Sequence, residues 1–287
     1  MPIKRTRRDE RQRQPKPMTL TERDQAIIRA VQDYRLLRQD QIERLFFGSR
    51  SAAQRVLLRL FQHGYLDRRF LPVLAGRSPT LYVLDRRGAE LLRSAQGLET
   101  VAWHPGMKQV KTEFLAHAAG INDLRIAVTL AAQQAGYDLL RWLGEGELRG
   151  AAERVTVLSP AGKRHDAPLM PDSFFTLRTP LGYAHCFVEY DRGTMTSSRF
   201  KAKVQAYLAY HRSGAYARRY NARSMRVLTV TSGQKRLENL KAATEAAGGR
   251  LPFWFALASE LTAETILSVP VWWVAGERER KALIEAR

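Results

Sequence analysis

Hydrophobic residues between positions 19 and 64 recur at the three- and four-residue spacing of amphipathic helices. The first stripe consists of Ile27, Ile28, Val31 and Tyr34. Thr21 precedes this stripe and is a suitable N-cap. The same spacing predicts a second short helix over residues 38–47 and a third over residues 49–62. Three short helices with a tight turn before the third are typical of a helix-turn-helix.

Two short β-like runs follow the third predicted helix. They flank the turn Gly76-Arg77-Ser78-Pro79, and a further helix is predicted after them. A β-hairpin with basic residues directly after a third helix is the layout of a wing. Residues 19–95 are therefore predicted to form a winged-helix DNA-binding domain. Arg77, at the tip of the hairpin, is expected to reach the DNA backbone or the minor groove.

The hydrophobic pattern changes after residue 112. One long amphipathic helix is predicted from there to Gly136, and strand-sized apolar runs alternate with two helices in the rest of the chain. This order predicts an α/β fold with a central mixed sheet over residues 112–287, after a linker at 96–111. The polar segment ERERKALIEAR at the end is predicted to be a surface helix. Because no apolar run is long enough to span a membrane, no membrane partner is expected.

Composition adds a strong positive charge to this picture. The chain has 287 residues and a net charge of +19 at pH 7, and the usual partner of such a field is nucleic acid. Residues 1–18 are basic and proline-rich, which predicts a disordered basic arm. The arm lacks the apolar segment of a secretory signal, and the single Cys186 excludes an internal disulfide. We therefore expect a cytoplasmic protein in which Cys186 packs as a small apolar group.

The outer face of the third helix carries four candidate DNA-binding residues. They are Arg50, Gln54, Arg55 and Arg59. Arginine and glutamine are the residue types that reach base edges or phosphates in the major groove, so these four and Arg77 are predicted to bind DNA. The competing interpretation is an ordinary solvated helix face.

Candidate chemistry lies at the end of a predicted strand, in the segment FVEYDRGT. Glu189 and Asp191 are two residues apart, so both point to the same face of that strand. Asp172 follows Pro171 at the start of the preceding strand and is expected beside them. The alternatives are structural. Asp172 can cap a turn, and the two other acids can form ion pairs with Arg192, Arg199 or Lys203.

The order of these motifs resembles that of the PD-(D/E)XK nuclease superfamily. The whole chain more closely resembles the replication-relaxation family of plasmid and mobile-element proteins, over about residues 19–275. The segments that carry this resemblance are FLAHAAGIND, PDSFF, FVEYDRGT and KVQAY, the last running from Lys203 to Tyr207. The resemblance implies a winged helix followed by a PD-(D/E)XK nuclease-like domain.

The resemblance also implies a divalent-metal site. Asp172, Glu189 and Asp191 are the implied ligands of Mg²⁺ or Mn²⁺, which activates water in phosphodiester cleavage. In the nuclease pattern a lysine that stabilises charge on the phosphate occupies the position of Asp191. Lys203, on the following helix, is the expected substitute. The implied catalytic residues are therefore Asp172, Glu189, Asp191 and Lys203.

Two functions are compatible with these residues. The first is a DNA-binding protein of a plasmid or mobile element that acts in replication, relaxation or mobilisation and nicks DNA as a metal-dependent endodeoxyribonuclease. The second is a non-catalytic winged-helix accessory factor or transcriptional regulator with a degenerate nuclease-fold domain. Both predict double-stranded DNA as the partner. Single-stranded DNA, a second copy in a homodimer, and a relaxase or replication protein are further candidate partners.

One more segment, residues 211–226, interleaves arginines with tyrosines. Its members are Arg212, Arg218, Arg219, Arg223, Arg226, Tyr216 and Tyr220. Such a mixture suits a track for a nucleic-acid backbone. A plain solvated loop explains it equally well.

Overall fold

Two compact units make up the chain, residues 1–123 and residues 124–287. The computed structural model describes residues 10–12, 15, 17–71, 78–96, 112–150, 152–158, 163–222 and 224–285. The division between the units falls within one helix, and the predicted domain boundaries at residues 95 and 112 stay a prediction. Within the described part of the chain, no helix is long and apolar enough to cross a membrane.

The first unit contains the helices and hairpin strands that the sequence predicts. In chain order its elements are α1 (Glu22–Asp33), β1 (Leu37–Arg38), α2 (Gln39–Phe46), α3 (Arg50–Gln62), β2 (Leu66–Phe70), β3 (Thr80–Leu84), α4 (Arg86–Gln96) and the first half of α5 (Thr112–Ala135). The strands form an antiparallel sheet in the order β1-β3-β2. This is the element order that a winged helix requires, and the assignment to that fold stays a prediction.

Short local signals set the ends of these helices. Thr21 and Asp24 form a capping box at the start of α1, and the Ser49 hydroxyl accepts a hydrogen bond from the Ala52 amide at the start of α3. Gly64 follows α3 with φ of 74°, the left-handed conformation that lets the chain leave a helix. The inward faces of α1 and α3 are buried through Ile27, Ile28, Val31, Ala53, Leu57 and Leu60.

Arg11 belongs to the predicted basic arm, yet it is bound to the first unit. Its guanidinium donates to the carbonyl oxygens of Phe61, at 2.7 Å, and Leu66, at 3.1 Å, and it pairs with Asp85. Most of the predicted arm lies outside the described residues, as does Arg77 at the predicted tip of the wing.

The second unit is built on a mixed sheet. After α5 its elements are β4 (Asp138–Gly144), α6 (Glu145–Gly150), β5 (Arg154–Leu158), β6 (Arg164–Pro168), β7 (Ser173–Thr179), β8 (Gly182–Asp191), α7 (Ser197–Arg212), α8 (Ala215–Tyr220), β9 (Arg226–Thr231), α9 (Gln234–Ala246), β10 (Phe253–Leu257), β11 (Trp272–Val274) and β12 (Arg280–Lys281). Seven strands pair in the order β12-β11-β10-β9-β8-β7-β4, and β9 runs parallel to both β8 and β10. The predicted α/β fold with a central mixed sheet is confirmed.

Alternate residues of β8 contribute to two different cores. Cys186 and Val188 are buried with Val128 of α5 on one face, which confirms the apolar packing predicted for the cysteine. Phe187 is buried on the other face with residues of α7 and α9, including Val204. Because strand side chains alternate, Glu189 also lies on the α7 and α9 face.

The prediction of a surface helix at the C-terminus is wrong. Residues 280–281 form strand β12 at the edge of the sheet, paired with β11. Leu283 and Ile284 are buried in the core on the α5 face. Burial of this apolar pair in the core takes the segment out of the surface position that its polar sequence predicted.

Candidate active site

Asp172 lies opposite Glu189 at one end of the β7–β8 pair. The register matches Ser173 with Val188, and the Asp172 amide donates to the Val188 carbonyl at 3.0 Å. The amide of Tyr190 in turn donates to Asp172 Oδ2 at 2.7 Å. Backbone pairing therefore fixes the Asp172 carboxylate beside the end of β8, as the motif order predicted.

Glu189 is buried, with 3% of its surface exposed, and takes its partners from α7. Lys203 forms an ion pair with Glu189 Oε2, and the Tyr207 hydroxyl donates to Oε1 at 2.7 Å. Lys203 and Tyr207 are four residues apart, so they lie on the same face of the helix. Lys203 Nζ is also 3.8 Å from Asp172 Oδ1. One lysine thus contacts both carboxylates.

Burial and charge shift the pKa values of this cluster. Burial raises the pKa of Glu189 to about 7, because the loss of solvation and the nearby Asp172 outweigh the attraction of Lys203. Burial alone lowers the pKa of Lys203, but Glu189 and Asp172 outweigh it, so the net shift is upward. Burial, reinforced by Glu189, raises the pKa of Tyr207. Lys203 and Tyr207 therefore keep their protons at neutral pH, and Glu189 titrates near neutrality.

Asp191 belongs to a separate arrangement. Arg236 of α9 donates to both of its oxygens, at 2.8 Å and 3.0 Å. The Gly193 amide at 3.1 Å and the Thr231 hydroxyl at 3.2 Å also donate to Asp191 Oδ2. Arg236 additionally donates to the Met195 carbonyl at 2.7 Å. Asp191 and Arg236 thereby fasten the turn between β8 and α7, and the structure does not bring Asp191 into the cluster of Asp172, Glu189 and Lys203.

The sequence comparison agrees with the resemblance found in the motifs. A profile described as replication-relaxation matches residues 28–224, more than half of the chain. The chain belongs to the replication-relaxation family. The matched region contains Asp172, Glu189 and Lys203, and membership supports a role in the replication or relaxation of plasmids or mobile elements. No curated protein and no solved structure matches the chain.

The family motif FLAHAAGIND has a structural use in the first unit. The Asn122 side chain donates to the carbonyls of Leu36 at 2.6 Å and Tyr34 at 3.2 Å. These carbonyls flank Arg35, whose φ of 64° marks a strained turn between α1 and β1. Asp123 pairs with Arg38 at 2.8 Å. The end of the motif therefore holds this turn and the start of α2 in place.

Three residues were the implied ligands of a divalent cation, and two of them, Asp172 and Glu189, lie together and have suitable donor atoms. Asp172 and Glu189 offer carboxylate oxygens, which Mg²⁺ and Mn²⁺ prefer, and Mg²⁺ keeps several waters of its own. Asp191 is set apart from them, because it pairs with Arg236 and has no contact with Lys203. The described part of the chain holds no group of three His, Cys, Asp or Glu residues placed to bind a metal. A cation held by Asp172 and Glu189 is the arrangement that these residues support.

Thr229 adds a group that the sequence did not single out. It pairs with Glu189 across the parallel β8–β9 ladder, so their side chains share a face. Thr229 is 1% exposed, and its hydroxyl finds no hydrogen-bond partner among the described residues. A buried hydroxyl beside the Glu189 carboxylate is a group that a hydrated cation satisfies.

The predicted DNA-binding residues of α3 differ in their surroundings. Arg50, Gln54 and Arg55 are exposed. Arg59 instead donates to both oxygens of the buried Asp24, at 2.8 Å and 3.0 Å. All four side chains are therefore exposed, and Arg59 in addition has an ion-pair partner within the unit.

Proposed function

We propose that the protein binds duplex DNA of a plasmid or mobile element and nicks it at Asp172, Glu189 and Lys203 with a divalent cation. The observation that carries this proposal is the position of Lys203, whose ammonium contacts both carboxylates. A positively charged group next to paired acids suits cleavage of a phosphodiester, because negative charge builds up on the phosphate and the cation stabilises it.

Each residue of the cluster has a distinct task in this proposal. Asp172 and Glu189 would hold Mg²⁺ or Mn²⁺, which when bound would lower the pKa of a water and neutralise charge on the phosphate. Lys203 supplies the fixed positive charge that the nuclease pattern places at the position of Asp191. Tyr207 keeps the Glu189 carboxylate oriented through its hydrogen bond to Oε1. The pKa of Glu189 near 7 links its ability to hold the cation to pH.

The first unit supplies the affinity for duplex DNA in this proposal. Its element order suits a winged helix, and α3 exposes Arg50, Gln54 and Arg55 on one helix. Cationic and amide side chains on such a helix reach phosphates and base edges in the major groove. The net charge of +19 adds a long-range attraction to the polyanion.

The second candidate function is a non-catalytic DNA-binding accessory factor or regulator. It is favoured by Asp191, which stands where the nuclease pattern has its lysine and is engaged by Arg236. It is also favoured by Glu189, since both of its oxygens contact protein groups. In that case the cluster acts as a structural ion pair.

The decisive experiment incubates the pure protein with supercoiled plasmid and Mg²⁺ or Mn²⁺. The variants Asp172→Asn, Glu189→Gln and Lys203→Ala test the cluster, and Asp166→Asn, an exposed carboxylate on β6, is the matched control. We expect wild type and Asp166→Asn to produce open-circular DNA and the three cluster variants to lose most of this activity.

Two results would contradict the proposal. Equal nicking by all five proteins indicates a contaminating nuclease. If the wild-type protein binds duplex DNA but does not nick it, the non-catalytic function replaces the proposed one.

A further inference from the structure

A row of aromatic rings lies on the same sheet face as Glu189, at the opposite end of β8. Tyr183 and His185 are alternate residues of this strand, with ring centroids 6.2 Å apart and planes within 17°. His185 lies 5.2 Å from the ring of Tyr220 in α8. We call Tyr183, His185, Tyr220 and the neighbouring Arg141 the aromatic platform.

Tyr183 is the exposed end of the platform. It is 59% exposed, whereas His185 is buried behind it and Tyr220 is half-buried. Burial, followed by the charge of Arg141, lowers the pKa of His185, so its ring is uncharged at pH 7. An exposed tyrosine ring supported from behind by further rings is a rigid surface on which a flat partner can stack.

Arg141 places a positive charge beside these rings. It follows a β-bulge in the edge strand β4, and bulges re-aim the side chains next to them. Its guanidinium lies 5.6 Å from the ring centre of Tyr220, and its Nε donates to the Thr176 hydroxyl at 3.2 Å. The Thr176 hydroxyl is in turn hydrogen-bonded to His185 Nδ1 at 3.1 Å. These contacts hold Arg141 in place, and no carboxylate of the described residues forms an ion pair with it.

We infer that the aromatic platform binds single-stranded DNA, with a base stacked on Tyr183 and a phosphate on Arg141. Stacking on an aromatic ring requires a base face that is free, and in a duplex both faces are covered by neighbouring base pairs. A ring next to an arginine is the combination that single-strand binding surfaces use. The partner is therefore a single strand and not a duplex.

The position of the platform relates it to the candidate active site. Tyr183 and Glu189 are six residues apart on one strand, which is about 20 Å at the usual rise of a β-strand. A strand bound at Tyr183 thus passes within a few nucleotides of Asp172, Glu189 and Lys203. The inference rests on the proposed function in this respect, because nicking supplies the free single strand that the platform would hold.

The basic segment 211–226 contributes less to this surface than its sequence predicted. Tyr216 is buried in the core between the sheet and α7, and its hydroxyl donates to the Ser224 carbonyl at 2.7 Å. Arg219 pairs with Glu153, and Arg223 lies outside the described residues. Tyr220 is the member of that segment that joins the platform.

The test measures binding of fluorescein-labelled oligothymidylate of about 15 nucleotides to the full-length protein, without divalent cations, by anisotropy. Tyr183→Ala is expected to weaken binding about 5- to 160-fold, the range for loss of one stacked base. Tyr183→Phe keeps the ring and should stay within about twofold of wild type. Leu181→Ala removes a side chain that is 54% exposed two residues away, and should have no effect.

Arg141→Ala tests the phosphate contact, with Arg149→Ala as the matched loss of one exposed positive charge outside the platform. Loss of one phosphate contact lowers the slope of log affinity against log salt by about 0.7 for a single strand. We expect this change in Arg141→Ala and not in Arg149→Ala. Thermal unfolding of each variant confirms that the fold is retained.

Three outcomes would overturn the inference. They are equal affinities of Tyr183→Ala and Leu181→Ala, equal salt slopes of the two arginine variants, and a preference of the platform for duplex or for oligouridylate of the same length. Failure of the platform is distinguishable from failure of nicking, because oligothymidylate binding is measured without divalent cations and therefore without the cleavage reaction. Platform-dependent binding by a protein that never nicks would remove the proposed activity and keep the platform.

Discussion

Arg236 of α9 holds the buried Asp191 of β8 through hydrogen bonds of 2.8 Å and 3.0 Å, one to each carboxylate oxygen. The same guanidinium donates to the Met195 carbonyl, so one side chain closes the turn that leads into α7. The helix α7 carries Lys203 and Tyr207, so this ion pair helps to position two residues of the candidate active site. Asp191 thus influences the site by holding the turn before α7, whereas Glu189, two residues earlier, contacts Lys203 directly.

The first prediction concerns this ion pair. Arg236→Ala leaves the Asp191 carboxylate buried without its guanidinium partner and should lower the free energy of unfolding by about 3 kcal/mol. Arg149→Ala, which removes an exposed pair with Glu145, should change it by less than about 1 kcal/mol. Urea unfolding measures both. Similar values for the two variants would show that Asp191 gains nothing from Arg236.

The second prediction concerns pH. The pKa of Glu189 is raised from 4.5 to about 7 in the folded protein, so the folded state holds this proton more tightly than the unfolded state does. Stability from this group is therefore present below pH 4.5 and is lost as pH rises through 7. Glu189→Gln has no proton to lose. We expect the stability of Glu189→Gln relative to wild type to increase by about 1–3 kcal/mol between pH 5 and pH 8.

The measurement for this prediction is urea unfolding of both proteins at a series of pH values. In wild type, Glu189 and Asp172 raise the pKa of Lys203, which places its titration above this window. A stability difference that is constant from pH 5 to pH 8 would mean that Glu189 is fully ionised throughout, as in a simple salt bridge.

The third prediction compares two threonines on one face of β9. Thr229 has a buried hydroxyl without a described partner, whereas the Thr231 hydroxyl donates to Asp191 at 3.2 Å. Thr229→Val should therefore raise the free energy of unfolding by about 1 kcal/mol without cation, and Thr231→Val should lower it by about 1 kcal/mol.

If the Thr229 hydroxyl serves a hydrated cation, the gain in stability comes with a loss of function. Thr229→Val should then reduce plasmid nicking and require more Mg²⁺ to reach half of its maximal rate. If Thr229→Val nicks plasmid at the wild-type rate and with the wild-type dependence on Mg²⁺, the Thr229 hydroxyl has no role in the site.

Part of the candidate site followed from sequence because short-range periodicity determines it. Alternation along a strand places Glu189 and Asp191 on one face, and helical spacing lets Lys203 and Tyr207 reach the same carboxylate. The capping box of Thr21 and Asp24 is likewise local, and it fixed the start of α1. Each of these features depends on residues within one element.

The missing parts depend on the order of strands in the sheet. Arg236 and Thr229 come from elements about 40 residues after β8 in the chain, and they meet it because β9 pairs in parallel with β8. No spacing pattern in the sequence indicates that β9 is the neighbour of β8. The buried pair Leu283 and Ile284 was missed for a similar reason, since its burial follows from the pairing of β12 with β11.

The last prediction separates DNA contact from fold stability on α3. Arg50 and Arg55 are exposed, so Arg50→Ala and Arg55→Ala should weaken duplex binding and lower the slope of log affinity against log salt by about 0.9 each. Arg59 is the matched comparison on the same helix. It neutralises the buried Asp24, so Arg59→Ala should mainly lower the free energy of unfolding, by about 2–3 kcal/mol.

Anisotropy with a labelled duplex across a salt series, together with urea unfolding, distinguishes the two effects. Unchanged salt slopes for Arg50→Ala and Arg55→Ala would exclude α3 as the helix that contacts DNA.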